Sequence, residues 1–161
     1  MSHRLLIESF VMLACVLCAA VGANAQAPLP YGPSINLDTA KKVVAPAVAE
    51  ARKNGWNMAF AVVDTSGNLV YFEKMDDTQT GSINVAIGKA RTAASFKRPS
   101  KVFEDAVKGG GSHVLSLEGV VAVEGGIPLV IDGKIVGAIG VSGATSAQDG
   151  QCAQAGVNSL K

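Results

Sequence analysis

Residues 1–25 have the pattern of a secretory signal peptide, and their removal limits what the remaining chain can form. A basic start is followed by an uninterrupted apolar run, Phe10–Val21, and by Ala23-Asn24-Ala25, which fits the cleavage pattern of signal peptidase. The apolar run is well short of the ~20 residues that a membrane-spanning helix needs. We therefore expect a periplasmic or secreted product that begins at Gln26 and has no membrane contact after cleavage.

The mature chain would retain one histidine, His113, and one cysteine, Cys152. An intramolecular disulfide is then impossible, and zinc sites, which use several N or S ligands, are not favoured. We expect Cys152 to pack inside a closing helix, with disulfide-linked dimerisation or metal binding as alternatives.

The rest of the composition predicts one near-neutral domain. About 136 residues remain after cleavage, enough for a single hydrophobic core. The whole sequence has 14 basic and 13 acidic side chains, and removal of the signal takes one of each. Nothing in this balance indicates nucleic-acid binding.

Hydrophobic periodicity predicts a single α+β domain over residues 35–161, preceded by a flexible leader over residues 26–34 that is rich in proline. The predicted helices begin at Leu37, Ser82, Lys101 and Ala144, and the predicted strands are Met58–Val63, Asn68–Lys74, Val120–Val123, Ile127–Ile131 and Ile135–Val141. The order αββααβββα suits one mainly antiparallel, five-stranded sheet flanked by helices. It does not suit a repeated βαβ winding.

Two glycine-rich segments could suggest phosphate binding, but neither contains a Gly-Lys-Ser/Thr sequence or a full dinucleotide fingerprint. We predict instead that Gly137, Gly140 and Gly143 leave room for the alanine-rich face of the second helix. No Gly-x-Ser-x-Gly sequence is present to support hydrolytic chemistry.

Four segments, taken in order, resemble the GlcG/HbpS family of haem-binding or haem-degrading domains. They are Ala61–Asp64 with Gly67–Val70, Gly88–Ala93, Gly125–Leu129 and Gly137–Gly143. The resemblance covers roughly residues 35–160. It implies a profilin-like antiparallel sheet flanked by helices, assembly into homo-oligomers and, in secreted members, binding of haem or iron. Because other members are associated with glycolate use or cobalamin adenosyltransferases, the fold alone does not name the ligand.

Haem iron takes an axial His, Met, Cys or Tyr, and His113 is the strongest candidate in the mature chain. It follows the flexible Gly109–Gly111 segment, which could let an imidazole face a flat ligand. The alternative is an exposed loop histidine with no function. Met75, at the exit of a strand, is a second candidate. Lys89 and Arg91 on the second helix, or Lys97 and Arg98 at its end, could bind the haem propionates, or these side chains could simply be solvated.

Glu73, Asp76 and Asp77 place three carboxylates within a short segment. Hard cations and exposed ferric iron bind such oxygen ligands, and the Glu-x-x-Asp spacing is similar to an acidic iron-binding motif of secreted family members. The alternative interpretation is an ordinary solvated acidic loop.

Three functional hypotheses follow. The first is an exported haem- or iron-binding protein that sequesters or senses its ligand. The second is an enzyme that degrades haem, or an accessory protein of small hydroxyacid (glycolate) metabolism. The third is a structural oligomerisation module without a ligand. The sequence does not decide whether there is turnover.

Overall fold

The structure is a computed structural model that describes residues 27–161; the predicted signal peptide lies outside this range. It confirms an α+β fold built on an antiparallel sheet, but within the described residues the sheet has four strands, not five, in the order β2-β1-β4-β3. The elements are α1 (Leu37–Asn54), β1 (Ala59–Val63), β2 (Leu69–Lys74), α2 (Ser82–Phe96), α3 (Lys101–Lys108), β3 (Gly126–Ile131), β4 (Lys134–Ser142) and α4 (Ser146–Asn158).

The sheet lies between two helical layers. On one face, α1 and α4 form the main core with residues such as Val43, Phe60 and Ile139. On the other face, α2 packs its alanines against Ala61 and Ala138. No helix within residues 27–161 combines the length and the apolar character that crossing a membrane would require.

Local signals explain where α1 begins and ends. The Asn36 side chain accepts a hydrogen bond from the Thr39 N–H at 2.8 Å and so caps the first turn. Gly55 adopts a left-handed conformation (φ 70°) that closes the last turn. The helix continues through Pro46.

The small face of α2 allows it to approach β4 very closely. A Cβ atom on Gly140 would lie 2.1 Å from the Ala86 carbonyl oxygen of α2. The prediction for Gly140 is therefore confirmed. Gly137 and Gly143 leave room for other segments, because their Cβ atoms would meet the carbonyl oxygens of Val63 and Asn57.

The predicted strand Val120–Val123 is wrong: this segment is an irregular loop across α2 and α3. Buried side chains, not a neighbouring strand, bind its backbone groups. The Thr92 hydroxyl accepts from the Val121 N–H at 2.8 Å, and the Ser100 hydroxyl donates to the Val123 carbonyl at 2.6 Å. β-Branched residues favour a strand, but they do not require one when side chains satisfy the backbone.

Glu104 of α3 fastens the end of the same loop. Its carboxylate accepts hydrogen bonds from the Glu124 N–H at 2.5 Å and from the Ser146 hydroxyl at 3.1 Å, and it pairs with Lys108. Burial disfavours the charged form, but these hydrogen bonds outweigh it and lower the pKa of Glu104 below 4.5. The loop, α3 and the first turn of α4 are therefore held together by one carboxylate.

The leader makes its first sheet contacts before Ile35. The Gly32 N–H donates to the Ile135 carbonyl at 2.8 Å, and the Ile35 N–H donates to the Val136 carbonyl at 2.7 Å. The Tyr31 hydroxyl donates to the Ala94 carbonyl of α2 at 2.7 Å. The proline-rich segment thus extends the sheet beyond the end of β1, next to β4.

Candidate functional site

His113 lies on the protein surface, in a short 3₁₀ helix, Ser112–Ser116, that follows the three glycines. Gly110 has a positive φ of 87°, a conformation that glycine adopts without strain, and the turn it makes brings the chain from α3 into the 3₁₀ helix. The Ser116 hydroxyl donates to the His113 carbonyl at 2.7 Å. The imidazole is exposed, so an external ligand can reach it.

Apolar side chains surround this histidine in the chain. Leu115 is 58% exposed and Leu117 is 41% exposed, although leucine is usually buried. Val102 of α3, which packs against the 3₁₀ helix, is also exposed. This segment therefore offers one nitrogen donor, the exposed imidazole, and exposed aliphatic side chains close to it in the sequence, a combination that suits an apolar, iron-containing ring such as haem.

Two of the other donors that iron could use are buried. Cys152 is fully buried, and burial, together with the negative charges of Glu50 and Asp149, raises the pKa of its thiol to about 12. Met58 is also fully buried in the main core. Neither sulfur is accessible to a surface ligand, and for Cys152 this agrees with the packing role that we expect.

The two tyrosines are engaged elsewhere. Tyr31 lies under the Lys97 ammonium, which is 4.2 Å from the ring centroid, and its hydroxyl is bonded to α2. Tyr71 donates to Glu73 at 2.9 Å, and this hydrogen bond and burial raise the pKa of its phenol. Because iron binds the phenolate, the raised pKa of Tyr71 disfavours its ligation. The hydroxyl of Tyr31 is already held by the Ala94 carbonyl.

Lys89 does not lie where a propionate group could meet it. Its side chain is 1% exposed, and its ammonium pairs with the Asp149 carboxylate of α4 at 2.6 Å and donates to the Val141 carbonyl at 3.2 Å. Burial raises the pKa of Asp149, although Lys89 acts in the opposite direction. We therefore assign Lys89 to the junction of α2, β4 and α4, in contrast to the sequence prediction.

Arg91 is exposed on α2, where a carboxylate of an external ligand can reach it. Its Nε donates to the Gly67 carbonyl at 3.0 Å, which orients the guanidinium over the turn between β1 and β2. A depression of about 320 Å³ opens beside it, with Phe96 and Gly119 in its walls. Gly119 belongs to the segment that follows the His113 helix, so α2 and this segment share one surface.

The three acidic residues and Met75 lie around one shallow depression of about 290 Å³ at the end of β2. Arg52 also lines it, and Glu73 already accepts a hydrogen bond from Tyr71. Within residues 27–161, no three His, Cys, Asp or Glu side chains converge in an arrangement that could hold a metal ion. The structure therefore brings Glu73, Asp76 and Asp77 near one another without forming a metal centre.

A cavity of about 410 Å³ lies between Gly125, Gly126 and the first turns of α4. Its lining contains no His, Met, Cys or Tyr among the described residues. It offers no axial ligand for haem iron, so the accessible His113 remains the better candidate.

Sequence reasoning missed several residues that shape this surface. Thr92, Ser100 and Glu104 hold the loop that follows His113, and Asp149 neutralises Lys89. A signal for Lys89 exists in the sequence, because it has helical spacing with Ala86 and the other alanines of the buried α2 face. The polar anchors of the loop have no comparable periodic signal.

Fold and surface together define a single α+β domain with one accessible histidine in its described part. The profile of a family described as "Haem degrading protein HbpS-like" matches residues 35–158. The chain belongs to this HbpS-like family, as its sequence motifs predict.

Similar proteins have been identified by sequence and by structure. Protein GlcG of Escherichia coli K12 is 40% identical over 103 residues, which are 64% of this chain and 77% of GlcG. A double mutant of HbpS from Streptomyces reticuli is 30% identical, with a TM-score of 0.74 over 89% of this chain and 98% of that chain. PduOC, solved as a complex with haem, is 26% identical, with a TM-score of 0.72 over 80% of this chain and 96% of that chain.

Proposed function

We propose that this protein is exported and binds haem, with His113 as an axial ligand of the iron, and that it sequesters or senses its ligand. The observation that carries the proposal is the exposure of the His113 imidazole beside Leu115 and Leu117, while cysteine and one methionine are buried. The family description and the haem complex of PduOC support the class of ligand. The bound haem would supply the redox-active iron.

The roles of this chain's own residues follow from their positions. The imidazole nitrogen of His113 would donate its lone pair to the iron, and the leucines would shield one part of the ring from water. Arg91 would pair with a propionate carboxylate through the guanidinium nitrogens that Gly67 leaves free. Met75 would be the alternative donor to the iron, because its side chain is only partly buried.

Haemin titration of the purified protein tests this assignment. We expect the Soret band to shift on haemin binding and the shift to saturate. In His113→Ala, the affinity for haemin should fall at least tenfold, and the Soret maximum of the complex should lie at a different wavelength. Met75→Leu is the matched control, because it removes the alternative donor and conserves volume. An unchanged Soret band in His113→Ala would exclude His113, and the absence of saturable binding would refute haem binding itself.

Export has a separate test. N-terminal sequencing of the protein recovered from the periplasm or the medium should give Gln26 as the first residue. Recovery of uncleaved protein only in the cytoplasm would refute export without affecting haem binding. Metal analysis together with an absorption spectrum of the same anaerobically purified sample would distinguish bound haem from bound iron ions.

Oxidative haem degradation is a second candidate function, favoured by the description of the family. It requires O₂ or peroxide and a reductant in addition to this chain. Loss of the Soret band with release of iron, under reductant and with catalase present, would identify turnover. A stable haem complex under these conditions would identify a binding protein.

A further inference from the structure

The cavity between Gly125, Gly126 and α4 has the size and the walls of a small-molecule site. Its volume is about 410 Å³, and such sites have roughly 300–1,000 Å³, with mostly apolar walls and a few polar groups. Pro99, Ile127 and Ala147 give it apolar walls. The polar side chains of the lining belong to Lys101, Glu124, Gln151 and Gln154.

Glu124 places a carboxylate against α4 in this lining. A Cβ atom on Gly150 of α4 would lie 2.5 Å from the Glu124 Oε1, so a side chain at position 150 would displace the carboxylate. Glycine inside a helix weakens the helix, because it loses more backbone freedom on folding than any other residue. The Glu124 side chain is 23% exposed, so a ligand in the cavity can reach its carboxylate.

The Lys101 ammonium supplies the opposite charge beside Glu124. The two groups lie 3.8 Å apart, which is longer than a hydrogen bond, so neither uses up the hydrogen-bonding capacity of the other. Lys101 has a closer pair with Asp105, at 2.8 Å, but both side chains of that pair are about half exposed, and such pairs are weak. An ammonium has three N–H donors, so Lys101 can still donate to a ligand.

We propose that this cavity binds a free α-amino acid with an aliphatic side chain. At neutral pH such a molecule carries an ammonium and a carboxylate on the same carbon atom. Its ammonium would donate to the Glu124 carboxylate, and its carboxylate would accept from the Lys101 ammonium. Its side chain would pack against Ile127 and Ala147. The proposal is independent of haem binding.

Charge and hydrogen bonding select this ligand class. A simple amine would meet the like charge of Lys101, and a simple carboxylate would meet that of Glu124; both contacts are repulsive. The Gln151 amide nitrogen donates to a side chain of α1 at 2.6 Å, and the Gln154 amide nitrogen donates to a side chain of its own helix at 3.0 Å. The amide oxygens of both glutamines stay available as acceptors, which suits a ligand ammonium with three N–H donors.

Isothermal titration calorimetry of the purified protein with L-leucine tests the proposal. We expect saturable binding with a Kd of about 1 mM or below. Isoamylamine is leucine without its carboxylate, and isocaproate is leucine without its ammonium. Each should bind at least tenfold more weakly than leucine. In NMR spectra, the amide signals of Gly125 and Gly126 should shift as leucine is added.

Glu124→Gln conserves the shape of the side chain and removes its charge. It should weaken leucine binding at least tenfold and should not weaken isocaproate binding, because the repulsion of that carboxylate is gone. Glu118→Gln is the matched control: it removes a negative charge from an exposed position of the same loop, outside the lining of the cavity. It should leave the affinity for leucine within about twofold of the original.

Ala147→Trp blocks the cavity from an exposed position of α4. It should abolish leucine binding and leave haemin binding unchanged. Leucine binding that survives in Ala147→Trp would exclude this cavity, even if Glu124→Gln does not fold. Absence of saturable leucine binding to the original protein would overturn the proposal, and so would isoamylamine binding as tight as that of leucine. Equal effects of Glu124→Gln and Glu118→Gln would overturn it as well.

Discussion

The buried pair between Lys89 and Asp149 makes a strong prediction about stability. Asp149→Asn conserves the shape of the side chain and retains an oxygen for the Ala144 N–H, which it accepts at 3.1 Å. It removes the negative charge that lies 2.6 Å from the Lys89 ammonium, whose side chain is 1% exposed. Of the two acceptors that the Lys89 ammonium has in the original protein, the Val141 carbonyl is then the one that remains.

Removing one partner of a buried ion pair costs about 3–5 kcal/mol, because the other charge stays buried without compensation. For a domain of this size, that loss corresponds to a fall in melting temperature of roughly 10–20 °C. Lys89→Met on its own leaves the Asp149 carboxylate buried. Because burial raises the pKa of that carboxyl, the loss in Lys89→Met should become smaller as the pH falls and the group is protonated.

The double variant Lys89→Met with Asp149→Asn separates charge from packing. Both charges are then absent, and the methionine fills the space of the lysine stem, so we expect a stability close to that of the original protein. Asp105→Asn is the matched control, since its pair with Lys101 is about half exposed and should have no measurable effect. Chemical denaturation of the original protein, the two single variants and the double variant measures the interaction energy between Lys89 and Asp149. If the double variant is as unstable as Asp149→Asn, the uncompensated charge is not the cause.

Three further predictions concern other parts of the fold. Gly140→Ala should lower the free energy of unfolding, measured in urea, by about 1–3 kcal/mol, because the new Cβ would clash with the Ala86 carbonyl oxygen. Gly81→Ala is the control: no heavy atom outside its own chain neighbours lies within 4 Å of its Cβ, so this variant should keep the original stability. Glu104→Gln should destabilise the protein at neutral pH, and thermal melts should show the difference from the original shrinking as the pH falls below 4.5, through the lowered pKa of Glu104. Cys152 should resist maleimide in the native state and react after denaturation, because burial raises its pKa to about 12.

Local patterns were sufficient to predict the helices α1 to α4 and the strands β1 to β4. The boundaries of α2 and α3 are those that periodicity, Pro99 and the glycines indicate. Asp64 closes the first hairpin turn by accepting from the Ser66 and Asn68 N–H groups, both at 2.8 Å. Such turns are chosen by residue types that lie next to one another, so a sequence reveals them without knowledge of the tertiary structure.

The errors arise where a residue's partner is distant in the chain. Val120–Val123 has the composition of a strand, but Thr92 and Ser100 bind its backbone from another part of the sequence. Lysine is a residue type that is usually exposed, but Lys89 is buried because Asp149, 60 positions away in the chain, neutralises its charge. For Val120–Val123, tertiary hydrogen bonds override a strand preference that is worth about 1 kcal/mol or less. For Lys89, the ion pair with Asp149 offsets the cost of burying the ammonium.

The same distinction explains why the candidate site could be predicted only in part. The composition alone shows that His113 is a rare nitrogen donor. Its exposure, however, depends on the distant hydrogen bonds that hold α3 and the loop after His113 in place. Lys89 of α2 is buried against β4 and α4, whereas Arg91 of the same helix faces solvent. Of these two residues, only Arg91 can therefore bind a carboxylate of a surface ligand. Arg91→Ala should weaken haemin binding, whereas a folded Lys89→Met variant should bind haemin as well as the original protein does.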